Sequence, residues 1–275
     1  MNRLSVLVDI AGRVTLNAEA DPVVAAAAVA VETSALPGLR IELAALPKWA
    51  RASQDNVEHV ADLIRSQALG AVVLTVARDN PAWADFIGHA EELQAALLKT
   101  SRSVAGWAKP ANILRFILLG SACGAALGHS IYRSRGPSVL TPTGLRAVEC
   151  SVICDSEIQG AENIEVFRSF WEPQRIPRQR LAEFRVDMLA RDITLTTAQD
   201  EPALLLPDYV AGLGLTAVTQ GQSAPNNGIQ TAFFSDQVRM LQATGKLLLL
   251  EEAFNHSYEQ MFGDVMSRAR EINDA

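Results

Sequence analysis

Residues 4–9, Leu-Ser-Val-Leu-Val-Asp, have the pattern of a buried β-strand that ends in a carboxylate. Leu4, Val6 and Val8 occupy alternate positions, which places them on one face of an extended chain. Gly12 follows closely and allows a turn. The chain therefore opens with a strand of the protein interior whose last residue, Asp9, is charged.

Outward from this strand, the sequence predicts further strands at residues 23–31, 71–77, 147–155 and 192–197, although the alanines of the first would equally suit a helix. It predicts helices at residues 56–67, 81–99 and 205–219, another that begins at Pro110, and a last one from Phe234 to the chain end with a break near Gly245. Strands early in the chain, followed by strands that alternate with helices, favour an α/β fold. We expect a mixed sheet with helices on both faces, plus C-terminal helices.

The composition is that of an ordinary globular protein. The chain has 275 residues, of which 49% are hydrophobic and 20% charged, and this length is ample for a large core. The net charge of −7 argues against broad, non-specific binding of DNA or RNA, which depends on neutralising phosphates with Lys and Arg. It does not exclude a metal-dependent nuclease, because bound cations change the local charge of an acidic site.

Cysteine usage and hydropathy favour a cytoplasmic protein without a membrane partner. Only Cys123, Cys150 and Cys154 occur, and we expect all three to be reduced thiols of the core. The N-terminal residues lack the build of a signal peptide. The most apolar uncharged run, residues 116–128, is shorter than the roughly 20 residues that span a bilayer.

Three acids lie where the chemistry of a site could be built. Asp9 and Asp155 each end a predicted strand, and Asp208 begins an apolar helix. Carboxylates at such places can converge in space, and because they repel one another the resulting site usually needs a divalent cation. Taken singly, each acid also has a structural interpretation, as a turn former or as a charge at the positive end of a helix.

The order of these segments resembles an uncharacterised family of ribonuclease H-like proteins with the integrase-superfamily fold. In that family the first strand ends in Asp-Glu-Ser-Gly, and residues 9–12 here are Asp-Ile-Ala-Gly. The last core helix of the family begins with a Leu-Gln-Leu-Ala-Asp-x-x-Ala-Gly-like segment, and residues 204–212 here are Leu-Leu-Leu-Pro-Asp-Tyr-Val-Ala-Gly. A middle strand that ends in Asp corresponds to Asp155. The resemblance covers about residues 4–220.

The resemblance implies a ribonuclease H-like domain at residues 1–220 and a C-terminal helical extension, residues 221–275, packed on it. It implies that Asp9, Asp155 and Asp208 converge, two from central neighbouring strands and one from the helix packed on them. Two departures reduce the number of acids. Ile10 replaces the acid that follows Asp9, and Leu46 replaces the acid of a Glu-x-Lys-like element at residues 46–48.

Other candidate site residues have less support. Glu157 and Asp200 are substitutes for the missing acids without a motif of their own. A basic cluster, defined by Arg175, Arg178 and Arg180, could hold a phosphate backbone. Acidic neighbours favour a solvated, salt-bridged face instead. The four histidines are not spaced like a zinc motif.

Two functional hypotheses follow. The first is a nuclease or phosphodiester hydrolase dependent on Mg²⁺ or Mn²⁺, in which Asp9, Asp155 and Asp208 are both the catalytic residues and the metal ligands. The alternative is a catalytically degenerate ribonuclease H-like module that binds a protein or nucleic-acid partner. The acid count separates the two, because Ile10 and Leu46 favour the alternative, and fold analogy alone does not transfer function.

Overall fold

The structure is a computed structural model that describes residues 3–14, 21–79, 110–135, 148–155, 188–225 and 228–251, together with residues 87, 88, 91 and 95. The described strands are β1 (Leu4–Ala11), β2 (Val23–Glu32), β3 (Ala68–Ala77), β4 (Val148–Asp155), β5 (Met188–Thr196) and β6 (Leu247–Glu251). The described α-helices are α1 (Leu36–Leu43), α2 (Gln54–Gln67), α3 (Pro110–Arg135), α4 (Leu205–Val218) and α5 (Thr231–Ala243).

All six strands form one mixed sheet in the order β5-β4-β1-β2-β3-β6. Strand β2 is antiparallel to both of its neighbours, β1 and β3. The other three pairs, β1–β4, β4–β5 and β3–β6, are parallel. The predicted α/β class and the mixed sheet are therefore confirmed, and the alanine-rich segment at β2 is a strand rather than a helix.

Helices cover both faces of the sheet. Alternate strand residues such as Leu7, Ala27 and Val73 belong to a buried cluster that includes side chains of α1, α2, α4 and α5. Helix α3 lies on the opposite face, where Gly70 of β3 faces His129; a Cβ added to this glycine would lie 2.8 Å from the imidazole ring. The prediction of helices on both faces is confirmed. None of the described helices is both long and apolar enough to cross a membrane.

Helix α4 is the most enclosed of these helices. Nearly all of its residues are buried, including Leu206, Val210 and Leu213, so it has no polar face of ordinary width. Gly214 lets the helix approach the sheet, since a Cβ at this position would lie 2.6 Å from a methyl carbon of Val73. The prediction of a helix at residues 205–219 is confirmed to within one residue.

The prediction for the C-terminal segment is wrong in part. Helix α5 begins at Thr231, and the chain turns at Gly245, whose φ is +64°. Residues 247–251 then form β6, parallel to β3, instead of continuing as a helix. The physical reason is that β3 would otherwise leave its outer row of N–H and C=O groups unpaired. The segment after residue 220 thus contributes a strand to the sheet as well as a helix.

Some predicted features lie outside the described residues. These are most of the helix predicted at residues 81–99, the basic cluster, Glu157 and everything after residue 251. The strand β1 also differs slightly from its prediction, because it continues for two residues beyond Asp9.

The three cysteines are free and buried, as the sequence predicts. Burial raises the pKa of Cys150 to about 11 and raises that of Cys123 well above its usual range. Because only the thiolate is nucleophilic, we expect none of the three to react with iodoacetamide at pH 8 in the folded protein. Mass spectrometry should show full alkylation only after unfolding in guanidinium chloride; labelling of the native protein would contradict the buried positions.

Substitution of Leu213 tests the central position of α4. Leu213 is 1% exposed, so Leu213→Asp buries a charge without a partner and should leave the protein unfolded. Leu213→Ala should lower the free energy of unfolding by about 2–5 kcal/mol. The matched control is Ile41→Asp on α1, where the side chain is 78% exposed and the change should be close to neutral. Urea denaturation followed by circular dichroism measures all three variants.

Candidate carboxylate site

Two of the predicted acids lie side by side at one end of the sheet. Asp9 and Asp155 each follow directly on the last registered pair of the parallel strands β1 and β4, Val8 with Cys154. Neighbouring strands lie about 4.8 Å apart, and both acids share the face of Leu7 and Ile153, which pack in the cluster with α4. Their exposed fractions are only 6% for Asp9 and 8% for Asp155. Two carboxylates are thus held close together with little solvent between them.

The third acid enters from the helix that packs on this face. Asp208 lies in the first turn of α4, where the helix dipole favours a negative charge. Its Oδ2 accepts a hydrogen bond of 2.8 Å from the backbone N–H of Trp49. Burial raises the pKa of Asp208, and the nearby charge of Asp155 raises it further, while the Trp49 amide and Lys48 act in the opposite direction. Asp208 therefore belongs to the same electrostatic environment as Asp155.

Lys48 is the residue around which the three acids are grouped. Its Nζ lies 3.4 Å from Oδ2 of Asp155. Partial burial lowers the pKa of Lys48, but the attractions of Asp155, Asp9 and Asp208 together raise it above its ordinary value. The three predicted acids are thus brought together about one ammonium group. We call Lys48, Asp9, Asp155 and Asp208 the carboxylate site.

Sequence reasoning did not include Lys48 among the site residues. The only signal was the third position of the Glu-x-Lys-like element, residues 46–48, whose acid is missing. No periodicity or charge pattern indicates that a lysine in a loop after α1 will face acids from β1, β4 and α4. The residue could have been found only by trusting the resemblance at a single position.

The backbone beside Lys48 is fixed by contacts with α4. Besides the bond from Trp49 to Asp208, the Tyr209 hydroxyl donates a hydrogen bond of 2.9 Å to the carbonyl oxygen of Pro47. The indole ring of Trp49 is 7% exposed and meets the rings of Tyr209 and Phe234 edge-on at 5.7 and 5.5 Å. We call these contacts the Trp49 clamp. They hold the backbone of Lys48 at the mouth of the carboxylate site.

Gly212 is what allows the clamp to close. A Cβ at this position would collide with three atoms of the Trp49 ring, so the indole lies directly against the backbone of α4. A glycine in the middle of a helix costs about 1 kcal/mol relative to alanine. Here that cost is offset by the close approach of the aromatic ring, which fixes the loop that carries Lys48.

The two departures from the family pattern have different consequences. Ile10 follows Asp9 on β1, so its side chain points to the opposite face of the sheet, where it is 6% exposed. An acid in this place would not face Lys48. Leu46 packs against the hydrophobic cluster on the α4 face, so it takes the place of a polar group close to the site. Only the second departure removes a carboxylate from this face.

The predicted substitutes for the missing acids are not brought to the site. Asp200 is exposed and accepts a hydrogen bond of 3.0 Å from the Thr197 hydroxyl within a turn. Its neighbour Glu201 is buried and accepts bonds of 2.9 Å from Nε of Arg40 on α1. This buried pair, which the sequence analysis missed, ties α1 to the segment that leads into α4.

The donor chemistry of the site suits a hard divalent cation, since all three acids offer oxygen ligands from different elements. One oxygen of each of two acids is already oriented by a backbone amide, because Ile10 N–H donates to Oδ1 of Asp9 at 2.7 Å and Trp49 N–H to Oδ2 of Asp208. Within the part of the chain that the structure describes, however, no three His, Cys, Asp or Glu residues are arranged to hold a metal ion. As the side chains lie, Lys48 supplies the positive charge.

Comparison with known proteins leaves the function open. No protein-family model matches the chain, and no curated protein matches it at a significant level.

Substitution of Gly212 tests the Trp49 clamp. Gly212→Ala adds a methyl group where the indole ring lies, and such overpacking costs about 1–3 kcal/mol of stability. Differential scanning calorimetry should show a lower melting temperature. The matched control is Gly124→Ala on α3, where an added Cβ meets no atom within 4 Å and the better helix propensity of alanine should maintain or raise the melting temperature. Equal stability of the two variants would show that the indole does not need to lie on Gly212.

Proposed function

We propose that the protein is a divalent-metal-dependent phosphodiester hydrolase of ribonuclease H-like type, with Asp9, Asp155 and Asp208 as its metal ligands and catalytic residues. The observation that carries this proposal is that all three acids act electrostatically on the same ammonium group, Lys48. Residues far apart in sequence thus share one small region of the surface. Structural acids, which would form turns or cap helices where they occur, have no reason to share it.

The topology supports the ribonuclease H-like part of the proposal. The resemblance calls for two acids on central neighbouring strands and a third on the helix packed against them. Strands β1 and β4 are central neighbours in the sheet, and α4 packs on β1. Strand β6, at the edge beside β3, is an addition that the resemblance did not include.

The metal implied by the resemblance is Mg²⁺ or Mn²⁺. Held by the three carboxylates, such an ion would activate a water molecule and stabilise the leaving oxygen of a phosphodiester. The contribution of the chain itself is orientation. The Ile10 and Trp49 amides hold one oxygen of Asp9 and of Asp208, and the parallel pairing of β1 with β4 fixes the spacing of Asp9 and Asp155.

A second candidate function is a catalytically degenerate module that binds a protein or nucleic-acid partner. The ion pair between Lys48 and Asp155 favours it, because this pair reduces the repulsion among the acids without any metal. The loss of an acid at Leu46 favours it as well. In this reading the carboxylate site is a remnant whose charges have become structural.

The response of stability to metal separates the two functions without knowledge of the substrate. If the acids bind Mn²⁺, millimolar Mn²⁺ should raise the melting temperature of the wild-type protein, since a ligand at 100 times its Kd stabilises by about 2.7 kcal/mol. Asp155→Asn removes one charge and one ligand, and should abolish both this response and the cleavage of labelled single- and double-stranded DNA and RNA. Calorimetry and gel assays measure the two effects.

The control is Asp236→Asn on α5, an exposed acid that pairs with Arg239 and lies outside the carboxylate site. It should keep the Mn²⁺ response and the cleavage of the wild type. A wild-type melting curve indifferent to Mn²⁺, together with no cleavage of any of these substrates, would refute the hydrolase and leave the binding module.

A further inference from the structure

We infer that Lys48 is a tethered counter-ion that competes with a divalent metal ion for the carboxylate site, and so sets the metal affinity of the protein. The inference takes its metal from the proposed function, but it concerns a residue of this chain that the function does not require. Its observable is metal affinity rather than catalysis.

Charge is the first reason. Asp9 and Asp155 are buried on neighbouring strands, and Asp208 is partly buried beside them, so three like charges share a region with little solvent. Two unit charges 4 Å apart repel by roughly 1 kcal/mol in water and by several times more near a protein interior. Lys48 interacts favourably with all three carboxylates. It therefore supplies, from within the chain, the compensation that a bound cation would otherwise provide.

The attachment of Lys48 is the second reason. The Trp49 clamp fixes the lysine backbone through the Trp49–Asp208 and Tyr209–Pro47 hydrogen bonds. The ammonium group therefore returns to the same place without the entropy loss of binding a free ion. A lysine on a freely moving loop would not be held at this site.

The looseness of the ion pair is the third reason. Charge-assisted N–H···O bonds are ordinarily about 2.7–2.9 Å long, whereas Lys48 Nζ lies 3.4 Å from Asp155. The lysine side chain is 61% exposed and that of Asp155 only 11%. Four methylene groups allow the ammonium to leave for solvent while the carboxylate stays in place. Lys48 is therefore displaceable, which a permanently buried ion pair would not be.

Competition of this kind lowers the apparent metal affinity by the fraction of time that the lysine occupies the site. Replacement of Lys48 by a neutral residue should remove the competitor and a like charge together. From the size of such exposed pairs and of the repulsion near a surface, we expect Mn²⁺ to bind on the order of tenfold more tightly to Lys48→Met than to the wild type.

Isothermal titration of Mn²⁺ into the full-length wild type and Lys48→Met tests the inference. Lys48→Arg keeps the charge and should bind Mn²⁺ no more than about twofold more tightly than the wild type. The matched control is Arg51→Met, which removes a nearby exposed cation on the same loop and should leave the affinity within about twofold. Should Lys48→Met fail to fold, as judged by circular dichroism, Lys48→Gln keeps a polar side chain and carries the same expectation.

The outcomes distinguish this inference from the proposed function. Tighter Mn²⁺ binding by the neutral variants, without phosphodiester cleavage by the wild type, supports the counter-ion role and refutes the hydrolase. Mn²⁺-dependent cleavage by the wild type with unchanged affinity in the neutral variants refutes the counter-ion role alone. Equal tightening in Arg51→Met would show that general surface charge is responsible and would also overturn the inference. Failure of every variant to bind Mn²⁺ would overturn it as well.

Discussion

The enclosure of helix α4 is the constraint on which the rest of the structure depends. A helix buried on nearly every side needs partners in every direction, and the sheet, helix α5 and the Trp49 clamp provide them. Close approach requires residues without side chains, which explains the two glycines: Gly214 faces the sheet and Gly212 faces the indole. The same packing carries Asp208 to the end of the sheet where β1 and β4 present their acids. The position of the carboxylate site is thus a consequence of how the core is filled.

The site combines features that usually point in different directions. Backbone amides orient two of its acids, as in a site prepared for a ligand, whereas an ammonium group of the chain itself compensates them, as in a structural cluster. The exposed stem of Lys48 reconciles these features. A compensating charge that can leave keeps the carboxylates ionised and close together in the protein alone, and still gives a stronger cation access to them.

Much of the fold could be predicted from the sequence because its segments have strong local patterns. The alternation in β1, the β-branched residues of β3 and the capping box formed by Ser53 and Asn56 before α2 are each decided within a few residues. Strand β6 could not be predicted, since a run of leucines after a glycine suits a helix as well as a strand, and only the open edge of β3 decides between them. The three acids were found because they end or begin such segments. Lys48 was not, since its role depends on the distant Gly212 and Tyr209.

The parallel pairing of β6 with β3 also bears on how the chain reaches its folded state. The hairpins β1–β2 and β2–β3 join neighbouring segments, whereas β4 pairs with β1, and Leu247 with Ala71, only after long intervening stretches of chain. Closing such long loops costs entropy before any contact repays it, and folds rich in distant pairings assemble slowly. The meander β1–β2–β3 can therefore form while the ribosome is still at work. Both of its outer edges then await partners synthesised later, and chaperone binding to these edges would protect the nascent protein from aggregation.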